Sequence, residues 1–240
     1  MPFARSSIVG HLQELRRCLL YAMAALMVCA SVAFYFSGSL MGQLARSLQI
    51  PLVFLSPEEA LWSHIKLSLF VGLLASFPMM GYALWRFVAP GLLETERHRV
   101  FPFLFAASVF FLIGVATCYF WVLPFALDFL IRYGKQQGLV AQISVARYVD
   151  FNIQFLVAFG LIFEIPVVMW LLSQFGWLTY AHLKGTRRYA ILSAFFIAAV
   201  ITPTPDVFNQ TLTAVPLWLL YEIGILAVRF SERRSSHETV

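Results

Sequence analysis

Twelve carboxylates are spread over 240 residues, and their positions limit the chemistry open to the chain. Glu164 lies inside the apolar run FGLIFEIPVV. A charge at that depth in a membrane costs about 2.5–3.5 kcal/mol on insertion scales unless it faces protein or water. Pro166, two residues on, lacks an N–H and frees a carbonyl upstream. Together they describe a kinked, wet place within the membrane. A protonated structural Glu and a polar site touching a cavity or a partner helix are both compatible with that pattern. Asp206 lies in TPTPDVFNQ, where it can cap the following helix, and Gln210, four residues on, can present an amide in the same region. Glu94 and Glu96 lie in RFVAPGLLETERHRV. They can pair with Arg97 and Arg99 at i, i+3, or form a carboxylate site for a cationic ligand, with Phe87, Pro90 and Leu92 as its apolar floor. Glu14, in GHLQELRRCLL, has Arg17 at i+3 or can act as a second carboxylate of the same cleft. A guanidinium matches a carboxylate bidentately, so two carboxylates suit two guanidinia.

The elements that position these residues are membrane helices. The chain is 60% hydrophobic and only 12% charged, with a mean hydropathy of +0.79. A soluble domain is nearer one quarter charged, and 24 Phe, 9 Tyr and 6 Trp exclude disorder. A crossing helix needs about 20 apolar residues. Six segments qualify or come close, at roughly 18–36, 67–86, 101–123, 151–175, 188–202 and 211–228. The last two are short. Tyr189–Ile201 has only 13 residues before Pro203 and Pro205, about 20 Å at the helical rise, so two short crossings are preferred over a re-entrant pair. Glu222 lies in the sixth segment, seven residues before Arg229, as a structural carboxylate near the membrane boundary. The expected fold is all-α and polytopic, one integral membrane domain over residues 1–240.

Basic residues set the orientation. Of 17 Lys and Arg, 12 fall in the N-terminal tail, the second and fourth connections and the C-terminal tail. The other side carries five: Arg46, Lys66, Arg132, Lys135 and Arg147. The positive-inside rule places both termini in the cytoplasm. It also accounts for the net charge of +5 without nucleic acid. The outer segments Ser37–His64 and Pro124–Asp150 read as loops capping the membrane face. No cleavable leader is visible in Met1–Arg17.

Other chemistries are poorly served. Ser63-x-x-Lys66 and the His11/Glu14 pair are short matches on opposite sides of the membrane. No His, Asp or Glu cluster has metal spacing, and Cys18, Cys29 and Cys118 sit in apolar runs. Neither an enzyme nor a cofactor nor a metal site is expected. A solute transporter built on Glu164 would favour inverted repeats, and none is seen. A channel lacks polar rings.

Four segments in order, HLQELRR, FVAPGLLETERH, FGLIFEIPVV and TPTPDVFNQ, combined with six crossings and internal termini, resemble the TatC family over roughly residues 8–230. TatC proteins are the multispanning receptor subunit of the twin-arginine protein translocase. The resemblance implies that the cytoplasmic face of an inner-membrane protein binds the twin-arginine signal peptide of folded cargo. It maps the arginine-reading carboxylates to Glu96 and Glu14, and the loop's aromatic, Pro and Leu to Phe87, Pro90 and Leu92. It maps the mid-membrane carboxylate to Glu164, and the contact with TatA- and TatB-type single-span helices to Asp206 and Gln210. The implied energy source is the proton motive force, consistent with the lack of a GxxxxGK[ST] phosphate loop. Self-association is left open. The chain departs from the family pattern with TPTPD in place of TPPD and with Gly91 where many members carry Ala. Glu94 varies in the family and receives no primary role.

Overall fold

The computed structural model describes residues 3–46, 48, 52–88, 94–202 and 207–238, and their side chains outside 3–9, 88, 94–101 and 233–238. Ten α-helices and two very short strands are found among these residues. In chain order they are α1 (Phe3–Tyr35), α2 (Ser37–Arg46), β1 (Leu52–Val53), α3 (Glu59–Val88), α4 (Glu94–Thr117), α5 (Leu123–Gln136), β2 (Ile143–Ser144), α6 (Val145–Phe163), α7 (Ile165–Gln174), α8 (Tyr180–Gly185), α9 (Arg187–Ile201) and α10 (Val207–Glu238). Five helical stretches are long and apolar enough to cross a membrane: Gly10–Tyr35, Glu59–Phe87, Pro102–Gln136, Val145–Gln174 and Val207–Glu232. The protein is therefore a multi-pass membrane protein. The segment read as a fifth crossing is α9, whose 15 residues extend about 22 Å at the helical rise.

Two compact units are formed, Met1–Ser108 with Gln142–Asp150, and Val109–Ala141 with Phe151–Val240. In the first, α1 lies against α3. A side chain at Gly72 of α3 would come within 2.6 Å of the backbone of Ala30, so the two helices meet backbone to backbone, as small residues permit in membranes. Leu12, Leu15 and Leu19 share one stripe of α1, and all three are exposed. At the other end of α3, β1 and β2 pair in parallel, Leu52 opposite Ile143 and Val53 opposite Ser144. Tyr148 donates its hydroxyl to the Leu44 carbonyl at 2.9 Å.

The second unit shows how proline shapes these helices. Pro124 stands in the first turn of α5, and the turn before it, Cys118–Val122, widens to a π-helix. A proline at that point removes a donor and crowds the preceding carbonyl, and the wider turn relieves the crowding. Downstream, α4 and α6 interlock through two glycines. A side chain at Gly114 would lie 2.7 Å from the Phe159 carbonyl oxygen, and one at Gly160 would lie 2.6 Å from the Phe111 ring. Around α7, α8 and α10 the core is Met169, Leu183, Ile225 and Val228, with Ile165, Leu178, Tyr180 and Tyr221 against it.

The capping segments differ from the loops expected of them. Pro124–Asp150 is helical to Gln136, because Pro124 in a first turn does not obstruct a helix. That helix ends at Gly138, whose φ of +75° lets Leu139 N–H return to the Gly134 carbonyl at 3.2 Å. Ser37–His64 likewise contains α2 and the start of α3.

Candidate functional site

The sequence places Glu14, Phe87, Pro90, Leu92 and Glu96 in one site, and among these Glu14, Phe87 and Glu96 belong to α1, α3 and α4 of the first unit. Near its start, α1 carries His11, whose imidazole stacks on Phe87 near the end of α3, with ring centroids 4.4 Å apart and planes 26° from parallel. Glu14 follows three residues later, about 4.5 Å along the axis and on the same side of the helix. It is exposed and has no hydrogen bond or ion pair among the described residues. Its expected partner at i+3, Arg17, is also exposed and no ion pair joins them. An exposed i, i+3 pair contributes only a few tenths of a kcal/mol, too little to order two long side chains.

Glu96 belongs to the first turn of α4; its side chain, Glu94 and the pairs expected with Arg97 and Arg99 lie outside the described side chains, and Pro90 and Leu92 lie outside the described residues. Within this unit the Leu104 side chain of α4 approaches the Cβ position of Gly81 in α3 at 3.2 Å. α3 ends at Val88 and α4 starts at Glu94, so Glu96 opens the helix that follows Phe87 in the chain. Each charge-assisted hydrogen bond that such a carboxylate makes with a cation is worth about 1.5–3 kcal/mol.

The second unit holds the remaining candidates. Glu164 occupies the break between α6 and α7. Its N–H turns to Leu161 at 3.1 Å and its carbonyl restarts the helix by accepting from Val168 at 2.8 Å. Pro166 follows within the first turn of α7. The Oε1 atom of Glu164 is shut off from solvent and has no hydrogen-bond partner among the described residues. Gln210 donates its amide to the Phe195 carbonyl at 3.1 Å, joining α10 to α9. Asp206 lies outside the described residues. Glu222 is engaged in structure, as expected, through a 2.7 Å ion pair with Arg187 at the start of α9. Beside it, Tyr221 donates to the Leu183 carbonyl at 2.8 Å, and Glu232 accepts from the Tyr180 N–H at 2.7 Å.

The Ser63-x-x-Lys66 match serves other purposes. Ser63 is buried and donates to the carbonyl of Glu59 at 2.7 Å, while Lys66 pairs with Asp150 at 2.6 Å.

Two residues were missed by sequence reasoning. One is His11 as the ring partner of Phe87. The other is Glu59, which accepts from Leu55 N–H at 2.6 Å, from Ala146 N–H at 2.8 Å and from the Ser144 hydroxyl. It joins the start of α3 to the β2–α6 junction. The Ser56-x-x-Glu59 spacing of a capping box could have drawn attention to it.

Comparison with known proteins decides the family. A family profile described as "Sec-independent protein translocase protein (TatC)" matches residues 10–216. The chain belongs to the TatC family. A TatC relative from Aquifex aeolicus is 38% identical over 233 residues, 95% of this chain and 96% of that one. The Helicobacter pylori TatC is 37% identical over 91% of this chain and 86% of its own length. A crystal structure described as the twin arginine translocase receptor TatC superposes with a TM-score of 0.77 at 38% identity, covering 92% of this chain and 99% of that one. Membership makes this TatC chain a protein-transport component, and TatC is itself a part of the Tat translocase.

Proposed function

We propose that this chain is the receptor and core subunit of a twin-arginine translocase, binding the signal peptide of folded cargo at its cytoplasmic face. One observation carries the reading. Glu14 is exposed and unpartnered among the described residues, on the helix turn that follows the His11–Phe87 stack, and Glu96 is proposed to join it from the start of α4. Glu96 and Glu14 take the two guanidinia, Phe87, Pro90 and Leu92 receive the apolar part of the peptide, and the planar fork of Arg explains why Lys serves less well.

The proposal extends to the whole chain, residues 1–240, as one integral domain of the inner membrane. It has six crossings, α9 supplying the short fifth and α10 the sixth, with both termini cytoplasmic. Glu164 serves a later step, deep insertion of the signal or partner assembly. Asp206 and Gln210 mark where TatA- and TatB-type single-span helices dock, and the short α9 favours local thinning of the bilayer there. Proton motive force drives export.

Photo-crosslinking from position 96 tests the reading. A cargo with Arg-Arg in its signal should crosslink strongly, and the same cargo with Lys-Lys weakly. Equal crosslinking of both would refute the site.

A further inference from the structure

We propose that the corner around Tyr180, where α8 meets the end of α10, binds the phosphate of an anionic phospholipid between Lys184 and Arg229. The inference stands apart from the receptor reading above and concerns the second unit alone. Two crossing stretches set the level of this corner. Val145–Gln174 and Val207–Glu232 both end here, tied together by the Gln174 amide, which donates to the Ser231 hydroxyl. α7 is closed off by Gly176, whose φ of +74° lets Trp177 N–H return to the Leu172 carbonyl at 3.0 Å. The Trp177 indole is left exposed beside Phe175, and Tyr189 is exposed in the first turn of α9. Exposed Trp and Tyr at the ends of crossing helices mark the headgroup level of a bilayer.

The charges at this level are unbalanced. Both described carboxylates are engaged: Glu222 pairs with Arg187 at 2.7 Å, and Glu232 accepts from the Tyr180 N–H at 2.7 Å. Lys184, Arg188 and Arg229 are exposed and make no ion pair among the described residues. Arg188 turns to its neighbour, donating to the Tyr189 hydroxyl at 3.2 Å. Arg229 lies over the Tyr180 ring, 5.4 Å from its centroid. Tyr180 and Lys184 are four residues apart in α8, the spacing that puts two side chains on one face of a helix. One ring therefore has a guanidinium over its face and an ammonium beside it, and both cations lack an anion. A guanidinium held against a ring is ordered in advance, so less freedom is lost when phosphate arrives.

The apolar surface beside these cations selects a lipid over a soluble anion. Leu219, Ile223 and Leu226 are exposed along α10, at the i, i+4, i+7 spacing of one helix stripe. The stripe ends one turn before Arg229. An acyl chain lies along it while the phosphate meets Lys184 and Arg229; inorganic phosphate gains nothing from it. The chemistry is that of a negatively charged diacyl lipid, and a zwitterionic lipid brings its own cation to offset the attraction.

The test is a titration of the full chain in detergent with phosphatidylglycerol or phosphatidylcholine of identical acyl chains, bound lipid being counted by native mass spectrometry. Each basic group beside an anionic headgroup contributes about fivefold in affinity, so the first phosphatidylglycerol should bind about twentyfold more tightly than phosphatidylcholine. Lys184→Gln and Arg229→Gln should each weaken phosphatidylglycerol about fivefold and leave phosphatidylcholine within about twofold. Arg229→Lys, which keeps the charge, should stay within about twofold of the unchanged chain. Lys135→Gln is the control, because α5 lies at the opposite end of α10, where Phe129 stacks on Phe208 with centroids 4.9 Å apart; it should change neither lipid. Equal affinity for the two lipids, undiminished phosphatidylglycerol binding in Lys184→Gln and Arg229→Gln, or an equal loss in Lys135→Gln would each overturn the inference. Displacement of bound phosphatidylglycerol by millimolar inorganic phosphate would also overturn it, by assigning the site to a soluble anion. None of these outcomes touches the receptor reading, which rests on the first unit.

Discussion

Replacing Glu59 with alanine should open the end of the first unit where β1 meets β2. Three donors converge on that carboxylate: Ser144 Oγ and Ala146 N–H on Oε1, and Leu55 N–H on Oε2. Leu55 is 76% exposed, so water replaces the lost partner there and little is forfeited. Ser144 is only 7% exposed. Its hydroxyl loses a charged acceptor without an easy substitute, at about 1.5–2 kcal/mol, and the half-buried Ala146 N–H recovers part of its loss through water, leaving about 0.5–1 kcal/mol. The sum of about 2–3 kcal/mol corresponds to an opening constant raised roughly 30- to 150-fold. Hydrogen exchange of the amides in residues 143–147, measured on the chain in nanodiscs, reads that constant directly. Glu59→Gln retains an amide oxygen at the Oε1 position and should cost about 1 kcal/mol, near fivefold in exchange. Exchange in Glu59→Ala within threefold of wild type would refute the claim that this carboxylate joins α3 to α6.

Two further outcomes follow from the packing and from the break in the fourth long helix. Gly114→Val places a side chain 2.7 Å from the Phe159 carbonyl, backbone that cannot step aside, and should destabilise by about 1–3 kcal/mol, read as a lower thermal midpoint in detergent. Glu164→Ala should weaken deep insertion of the signal or assembly with single-span partners while initial docking persists; crosslinking at each stage separates the steps, and loss of docking would contradict the assignment.

What was legible in the sequence follows from the range of the interactions. The long helices were legible because membrane insertion demands about 20 apolar residues in a row. The break at Glu164 was legible because Pro166 removes a hydrogen bond locally. α5 was hidden, since its polar residues and Pro124 resemble a loop until the proline is seen to occupy a first turn. Glu59 was hidden because two of its donors, Ser144 and Ala146, lie 85 and 87 residues away. His11 and Phe87 were each noticed separately, but only the packing of α1 on α3 brings their rings together. Pro90, Leu92 and Asp206 rest on family resemblance, because they fall outside the described residues.

The central claim is that Glu96 helps to grip a pair of arginines. It is tested most directly by the affinity of an Arg-Arg signal peptide for the nanodisc-embedded chain bearing Glu96→Ala or Glu96→Lys. Loss of one charge-assisted pair, about 1.5–3 kcal/mol, predicts at least tenfold weaker binding for Ala, and abolished binding for Lys, with membrane insertion unchanged. Wild-type affinity in both variants would contradict the account.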